Sequence, residues 1–158
     1  MQAASGPVEG AVGDREIIVT RIVHAARERV WKAFTNAEAL AHWWGPTGFT
    51  ITTTAFDFRE GGDWIFVMHG PDGRDYPNRI RFTRIDEPSR IEHDHGGDSD
   101  RVIFQARITL EDLGVTTRVT LHSTFINAAD RDLVVKEYGA IEGGKQTLGR
   151  LAEYLETL

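Results

Sequence analysis

His93 and His95 are the residues whose type and spacing most clearly suggest chemistry. They are two positions apart in a segment with strand-like alternation, so both imidazoles should lie on one strand face. A metal ion would need a third ligand, such as His69, Asp94 or Asp98, and alternation puts Asp94 on the opposite face. We therefore predict no metal ion and no other cofactor. The pair is either a polar strand end or part of a cavity mouth, where it could act as acid and base.

Aromatic and sulfur-containing side chains form the largest candidate binding surface. Each of them alone fits an ordinary protein core, because large aromatic residues are usually buried packing. Together they suit a pocket for an apolar or aromatic ligand, in which a methionine adapts its shape and Trp or Tyr groups offer hydrogen bonds. The predicted ligand-binding residues are Trp43, Trp44, Trp64, Phe66, Met68, Tyr76, His93, His95, Phe104 and Tyr138.

The sequence does not suggest covalent catalysis. It has no cysteine and no nucleophile elbow, which leaves only unactivated Ser and Thr as nucleophiles. Gly61-Gly62 and Gly96-Gly97 are not followed by a helix with the Lys-Ser or Lys-Thr pair of a phosphate-binding loop. We predict no catalytic residues. An enzyme that uses His with Tyr or Asp as acid and base remains an alternative.

Length and charge restrict the class of protein. The 158 residues correspond to about one domain, and we predict a flexible tail over residues 1–14 followed by a single domain over residues 15–158. A formal charge of −6 argues against a nucleic-acid partner, which would require a basic surface. The chain has no apolar run near the roughly 20 residues that cross a membrane, and its first residues do not resemble a secretory signal. We expect a cytoplasmic protein with no membrane partner.

Periodicity predicts the elements that must position these side chains. Val30, Trp31 and Phe34 lie on one face of a short helix, and a second short helix begins at Asn36 and ends before Gly45-Pro46. Alternation and turn residues predict seven strands. The predicted strands are Arg15 to Val23, Thr50 to Phe58, Asp63 to His69, Tyr76 to Asp86, Arg90 to His95, Arg101 to Glu111 and Val115 to Phe125.

The stretch from Asn127 to Leu158 carries a sustained helical repeat. Asn127 is a suitable N-cap, and apolar residues follow at steps of three and four. Gly139, Gly143, Gly144 and Gly149 interrupt the pattern, each at a cost of about 1 kcal/mol relative to Ala within a helix. Three explanations stay open: close packing against a sheet, a break between two shorter helices, or space left for a ligand.

These elements predict an α+β fold. A curved seven-stranded antiparallel sheet would wrap around one long C-terminal helix, with the two short helices after the first strand. A bent sheet and a rod do not fill space everywhere, so we expect a cavity between the sheet and that helix.

Several stretches resemble a known family. They are the segments from Val30 to Thr35, Leu40 to Pro46, Gly61 to Gly73 and Gly144 to Leu155. They resemble bacterial proteins related to the C-terminal domain of the Hsp90 ATPase activator, in the SRPBCC (START, Bet v 1-like) superfamily. The resemblance extends over nearly the whole chain after Asp14 and implies a helix-grip fold. It does not imply one activity, because the superfamily includes carriers, receptors, cyclases and chaperone activators.

We therefore predict a protein that binds a hydrophobic or aromatic small molecule between the sheet and the C-terminal helix, without a defined catalytic activity. The alternatives are an enzyme of cyclase or hydrolase type acting in that cavity, and an interaction module that stimulates a chaperone ATPase. A homodimer and a chaperone are possible protein partners.

Overall fold

The computed structural model describes residues 9–158, which form one antiparallel sheet and four helices. The strands are β1 Gly10–Val12, β2 Glu16–Val23, β3 Thr50–Phe56, β4 Asp63–His69, β5 Asp75–Asp86, β6 Arg90–Gly96, β7 Val102–Asp112 and β8 Thr117–Phe125. The helices are α1 Arg27–Phe34, α2 Ala37–Trp43, α3 Ala128–Tyr138 and α4 Ala140–Glu156. The strand order is β1-β2-β8-β7-β6-β5-β4-β3. The α+β class with an antiparallel sheet is confirmed.

The seven predicted strands are all present, and the described residues add an eighth. β1 lies inside the predicted flexible tail, where Gly10 pairs with Ile18 of β2. Arg131 of α3 holds the end of this strand, because its guanidinium donates to the carbonyl oxygens of Val12 and Gly13 at 3.4 and 3.2 Å. A three-residue strand carries too little alternation to be predicted from sequence. Residues 1–8 of the predicted tail lie outside the described residues.

The C-terminal stretch is two helices, so a break between shorter helices, one of the three explanations left open for its glycines, holds at Gly139. α3 begins as predicted, since the Asn127 side chain accepts a hydrogen bond from the main-chain N–H of Asp130 at 2.8 Å. It ends at Gly139, whose φ of 60° lies in the left-handed region that glycine adopts at low cost. α4 is the long C-terminal helix, with 17 residues.

Close packing explains one of the glycines in α4. A Cβ atom on Gly144 would lie 2.9 Å from Cγ2 of Val19 in β2, which is too close without movement. A Cβ atom on Gly149 would have no neighbour nearer than the Arg21 guanidinium at 3.9 Å. α4 therefore rests on β2 with its backbone near the sheet at one point.

One face of the sheet carries the helices and is called the inner face. α4 packs mainly on β2, α2 on β3 and α1 on β7, while α3 contacts β8 and α4. The hydrophobic core lies between this face and the helices. Any space between sheet and helices is therefore lined by side chains of the inner face and of the helices.

Candidate functional site

The part of the inner face next to α1 and α2 is tightly packed, and we call it, together with the side chains that these two helices place on it, the packed half. It includes Trp43, Trp64 and Phe66, each no more than 2% exposed. The indole N–H of Trp43 donates to the carbonyl of Ala33 at 3.2 Å, and that of Trp64 donates to Oγ1 of Thr53 at 3.1 Å. Both indole N–H groups therefore already have hydrogen-bond acceptors within the protein.

The packed half leaves almost no space for a ligand. The cavity between Trp44, Trp64 and His93 has a volume of about 10 Å³, which is close to the minimum for one water molecule. The rings of Trp64 and Phe66 are stacked with centroids 4.0 Å apart, and the Trp44 ring contacts Trp64 edge-on at 5.1 Å. These predicted site residues are brought together, but as parts of the core.

A second region of the inner face is less well covered, and we call it the open half. Its side chains face inward by alternation yet are only part-buried. Strand pairing makes it continuous, with Phe104 opposite His95 and Ser123 opposite Ala106. The residues of the open half are Asn78, His95, Phe104, Ala106, Leu121 and Ser123.

Three apolar side chains of α3 and α4 that pack against the core are themselves only part-buried. They are Val134 and Val135 of α3 and Ile141 of α4. α4 makes its closest approach to the sheet at β2.

His95 is held in a defined position in the open half. Its Nε2 atom lies 2.7 Å from Oδ1 of Asn78, and its ring stacks on Phe104 with centroids 4.5 Å apart. The side-chain amide of Asn78 donates in turn to the carbonyl of Tyr76 at 2.9 Å. Burial lowers the pKa of His95 well below 6.5, and the neighbouring His93 acts in the same direction. The ring is therefore neutral at pH 7.

His93 lies beside His95, as predicted, with ring centroids 5.5 Å apart. Its side chain is in the packed half and only 3% exposed, and its Nδ1 atom is buried without a hydrogen-bond partner among residues 9–158. Burial lowers its pKa to about 4, while the main chain of Asp94 acts in the opposite direction. Neither imidazole carries a charge near neutral pH.

The remaining predicted ligand-binding residues, Met68, Tyr76 and Tyr138, are not part of the open half. Met68 is part-buried against the core, and strand pairing sets it opposite Tyr76 at the end of the sheet. The Tyr76 ring packs near Phe49 at 6.0 Å. Tyr138 ends α3 and is 64% exposed, so the structure does not bring it together with the other site residues.

The sequence analysis did not single out two residues that hold other groups in place, one in the open half and one beside the loop after α2. Asn78 is a polar residue at an inward position of β5, and this break in the apolar alternation is a signal that could have found it. Arg150 of α4 holds the loop after α2, donating from Nη1 to the carbonyls of Gly45 and Pro46 at 2.9 and 3.1 Å. No sequence pattern links Arg150 to that loop.

Residues 9–158 contain no group of three or more His, Asp and Glu side chains that could hold a metal ion. Within the same residues, no helix is both long enough and apolar enough to span a membrane.

Solved structures similar to this chain come from several bacteria. A protein from Arthrobacter aurescens is 26% identical, with a TM-score of 0.84 over 92% of this chain and 88% of that one. A protein from Nitrosomonas europaea is 25% identical, with a TM-score of 0.82 over 93% and 97%. A third, from Mycobacterium smegmatis, is 24% identical, with a TM-score of 0.82 over 94% of each chain, and supports the fold alone. The comparison with curated proteins gives no match.

The family model described as activator of Hsp90 ATPase homolog 1-like protein matches residues 24–156. Together with the structural neighbours, this match confirms the resemblance seen in the sequence and the helix-grip fold. The chain belongs to the AHSA1 family of SRPBCC-type proteins.

Proposed function

We propose that this protein binds a small hydrophobic or aromatic molecule in the open half of its inner face. The observation that carries the proposal is a continuous set of inward-facing side chains that the helices leave part-buried. Core positions normally lose nearly all contact with solvent, so an inward patch with residual exposure is typical of a binding space.

The chemistry of the lining favours an uncharged, largely apolar ligand. Phe104, Ala106 and Leu121 offer aromatic and aliphatic contact. No Asp, Glu, Lys or Arg belongs to the open half as defined above. A charged ligand would lose hydration there without gaining an ion pair.

The open half is a better candidate for the pocket than the packed half with its tryptophans. Trp43 and Trp64 already use their N–H groups, and the adjoining cavity of about 10 Å³ is far below the 300–1,000 Å³ typical of ligand pockets. Ligand entry there would require the core to open. Trp44 is part-buried, and its ring contacts Trp64 and Phe66 of the packed half.

A thermal-shift screen with aromatic and lipidic compounds tests the proposal. We expect at least one compound to raise the melting temperature of the wild type, because a ligand that binds only the folded state stabilises it. Ser123→Phe should fill the open half and remove that shift. Thr124→Phe places the same ring on the opposite face of β8 and should leave the shift intact.

Two results would overturn the proposal. The first is a screen in which no compound stabilises the wild type. The second is a compound that stabilises Ser123→Phe as strongly as the wild type.

The histidine pair favours one second candidate function, an enzyme of cyclase or hydrolase type. Both imidazoles are neutral at pH 7 and could accept a proton, although their lowered pKa values make them weak bases. The test is to incubate the wild type and His95→Gln with a compound from the screen and to follow products by mass spectrometry. Conversion by the wild type alone would support this candidate, and no conversion by either would reject it.

A further inference from the structure

We propose that the ligand of the open half carries a hydroxyl or N–H group that donates a hydrogen bond to Nδ1 of His95. This inference rests on the proposed function and specifies the class of molecule: phenols, enols and related aromatic compounds with one donor group. Three observations lead to it.

The first observation is the orientation of the Asn78 side chain. Its amide nitrogen lies 2.9 Å from the main-chain oxygen of Tyr76, and a carbonyl oxygen can only accept a hydrogen bond. The NH₂ group of Asn78 must therefore point to Tyr76. Its Oδ1 atom, an acceptor, is then the atom that faces His95 at 2.7 Å.

The second observation is the tautomer that this contact imposes. Because Oδ1 of Asn78 accepts, Nε2 of His95 must carry the hydrogen. A neutral imidazole has one protonated nitrogen, so Nδ1 keeps a free lone pair. Burial favours the neutral ring by lowering the pKa of His95. None of the residues in 9–158 donates a hydrogen bond to this Nδ1 atom.

The third observation is the apolar setting of the ring. The imidazole stacks on Phe104 at 4.5 Å and meets Phe66 edge-on at 6.4 Å. A flat ligand placed beside the part-buried Phe104 ring would gain aromatic contact. An acceptor atom in such a setting favours a ligand with a donor, because a ligand without one leaves it unpaired. A carboxylate or an ether oxygen cannot donate and should be discriminated against.

Two matched probes test the inference: 2-naphthol, which has the donor, and 2-methoxynaphthalene, which has the same rings without it. Dissociation constants are measured by fluorescence titration for the wild type, His95→Phe and His24→Phe. We expect the wild type to prefer 2-naphthol by about fivefold, the value of one hydrogen bond. His95→Phe keeps an aromatic ring at this position and should bind both probes equally. His24 is exposed before α1, so His24→Phe should keep the preference.

The outcomes separate the two proposals. If neither probe binds the wild type, neither the pocket nor the donor preference holds for aromatic compounds of this size. If both bind equally well to the wild type, the pocket stands and the inference about His95 is wrong.

A measurement on the wild type alone covers the case in which His95→Phe does not fold. In ¹⁵N spectra of the imidazole, Nδ1 of His95 should shift on adding 2-naphthol and not on adding 2-methoxynaphthalene. An Nδ1 resonance that responds equally to both probes, or to neither, would overturn the inference.

Discussion

The packed half and the open half of the inner face have similar sequence patterns and different environments. In both, inward-facing and outward-facing residues alternate along the strands, and both carry aromatic rings and a histidine. In the packed half His93 is 3% exposed beside Trp64, which is 2% exposed, whereas His95 and Phe104 in the open half are part-buried. The helices approach the sheet at different strands: α2 lies on β3 and α1 on β7, whereas α4 makes its closest approach at β2.

The comparison assigns stability of the fold to the packed half and ligand recognition to the open half. In the packed half, indole N–H groups bond within the protein and aromatic rings fill the space. In the open half, a polar pair of Asn78 and His95 sits among apolar side chains, as in pockets where a few polar groups direct a ligand. We therefore expect substitutions in the two halves to affect different measurements.

The largest expected effect is a loss of stability, and it is tested by replacing a leucine with alanine in each half. Leu110 on β7 is 2% exposed, and Leu110→Ala should lower the free energy of unfolding by about 3 kcal/mol or more, because it leaves a cavity in tight packing. Leu121 on β8 is part-buried, and Leu121→Ala should lower it by less than about 2 kcal/mol. Chemical denaturation measures both values. Equal losses would mean that the two halves are packed alike.

The second effect is a loss of stability in acid caused by His93. Its pKa is about 4 in the folded protein and 6.5 when unperturbed, so the unfolded state binds more protons between these values. The free energy of unfolding should therefore fall as pH falls from about 6.5 to about 4, by about 3 kcal/mol from this residue alone. The lowered pKa of His95 adds a loss of the same sign.

His93→Phe isolates this contribution. Denaturation at a series of pH values should give a flatter dependence for the variant than for the wild type. Parallel curves for the two proteins would show that His93 is not buried as a neutral ring.

The smallest expected effect distinguishes two glycines of the same helix. Gly144→Ala should lower the free energy of unfolding by about 1 kcal/mol, because Val19 must move to admit the new Cβ atom. Gly149→Ala has room and should raise it by about 0.5–1 kcal/mol, the ordinary gain from removing glycine within a helix. Thermal unfolding of both variants measures the difference. A gain at Gly144 would mean that α4 does not pack closely on β2.

Local signals in the sequence predicted most of the fold. Asn36 and Asn127 cap their helices as expected, and strand alternation set His93 and His95 on one face. The pairing of His95 with Asn78 could not be predicted, because it depends on the register between β5 and β6. Alternation indicates which face a side chain occupies, but not how closely a helix will cover it. For that reason the sequence did not show which predicted site residues belong to the packed half and which to the open half.

A methyl NMR titration with 2-naphthol tests the central claim most directly. We expect the methyl resonances of Ala106 and Leu121 to shift in proportion to ligand bound, while those of Leu40 and Leu110 in the packed half stay in place. Saturable shifts at Leu40 and Leu110, with none at Leu121, would contradict the claim that the open half is the binding site.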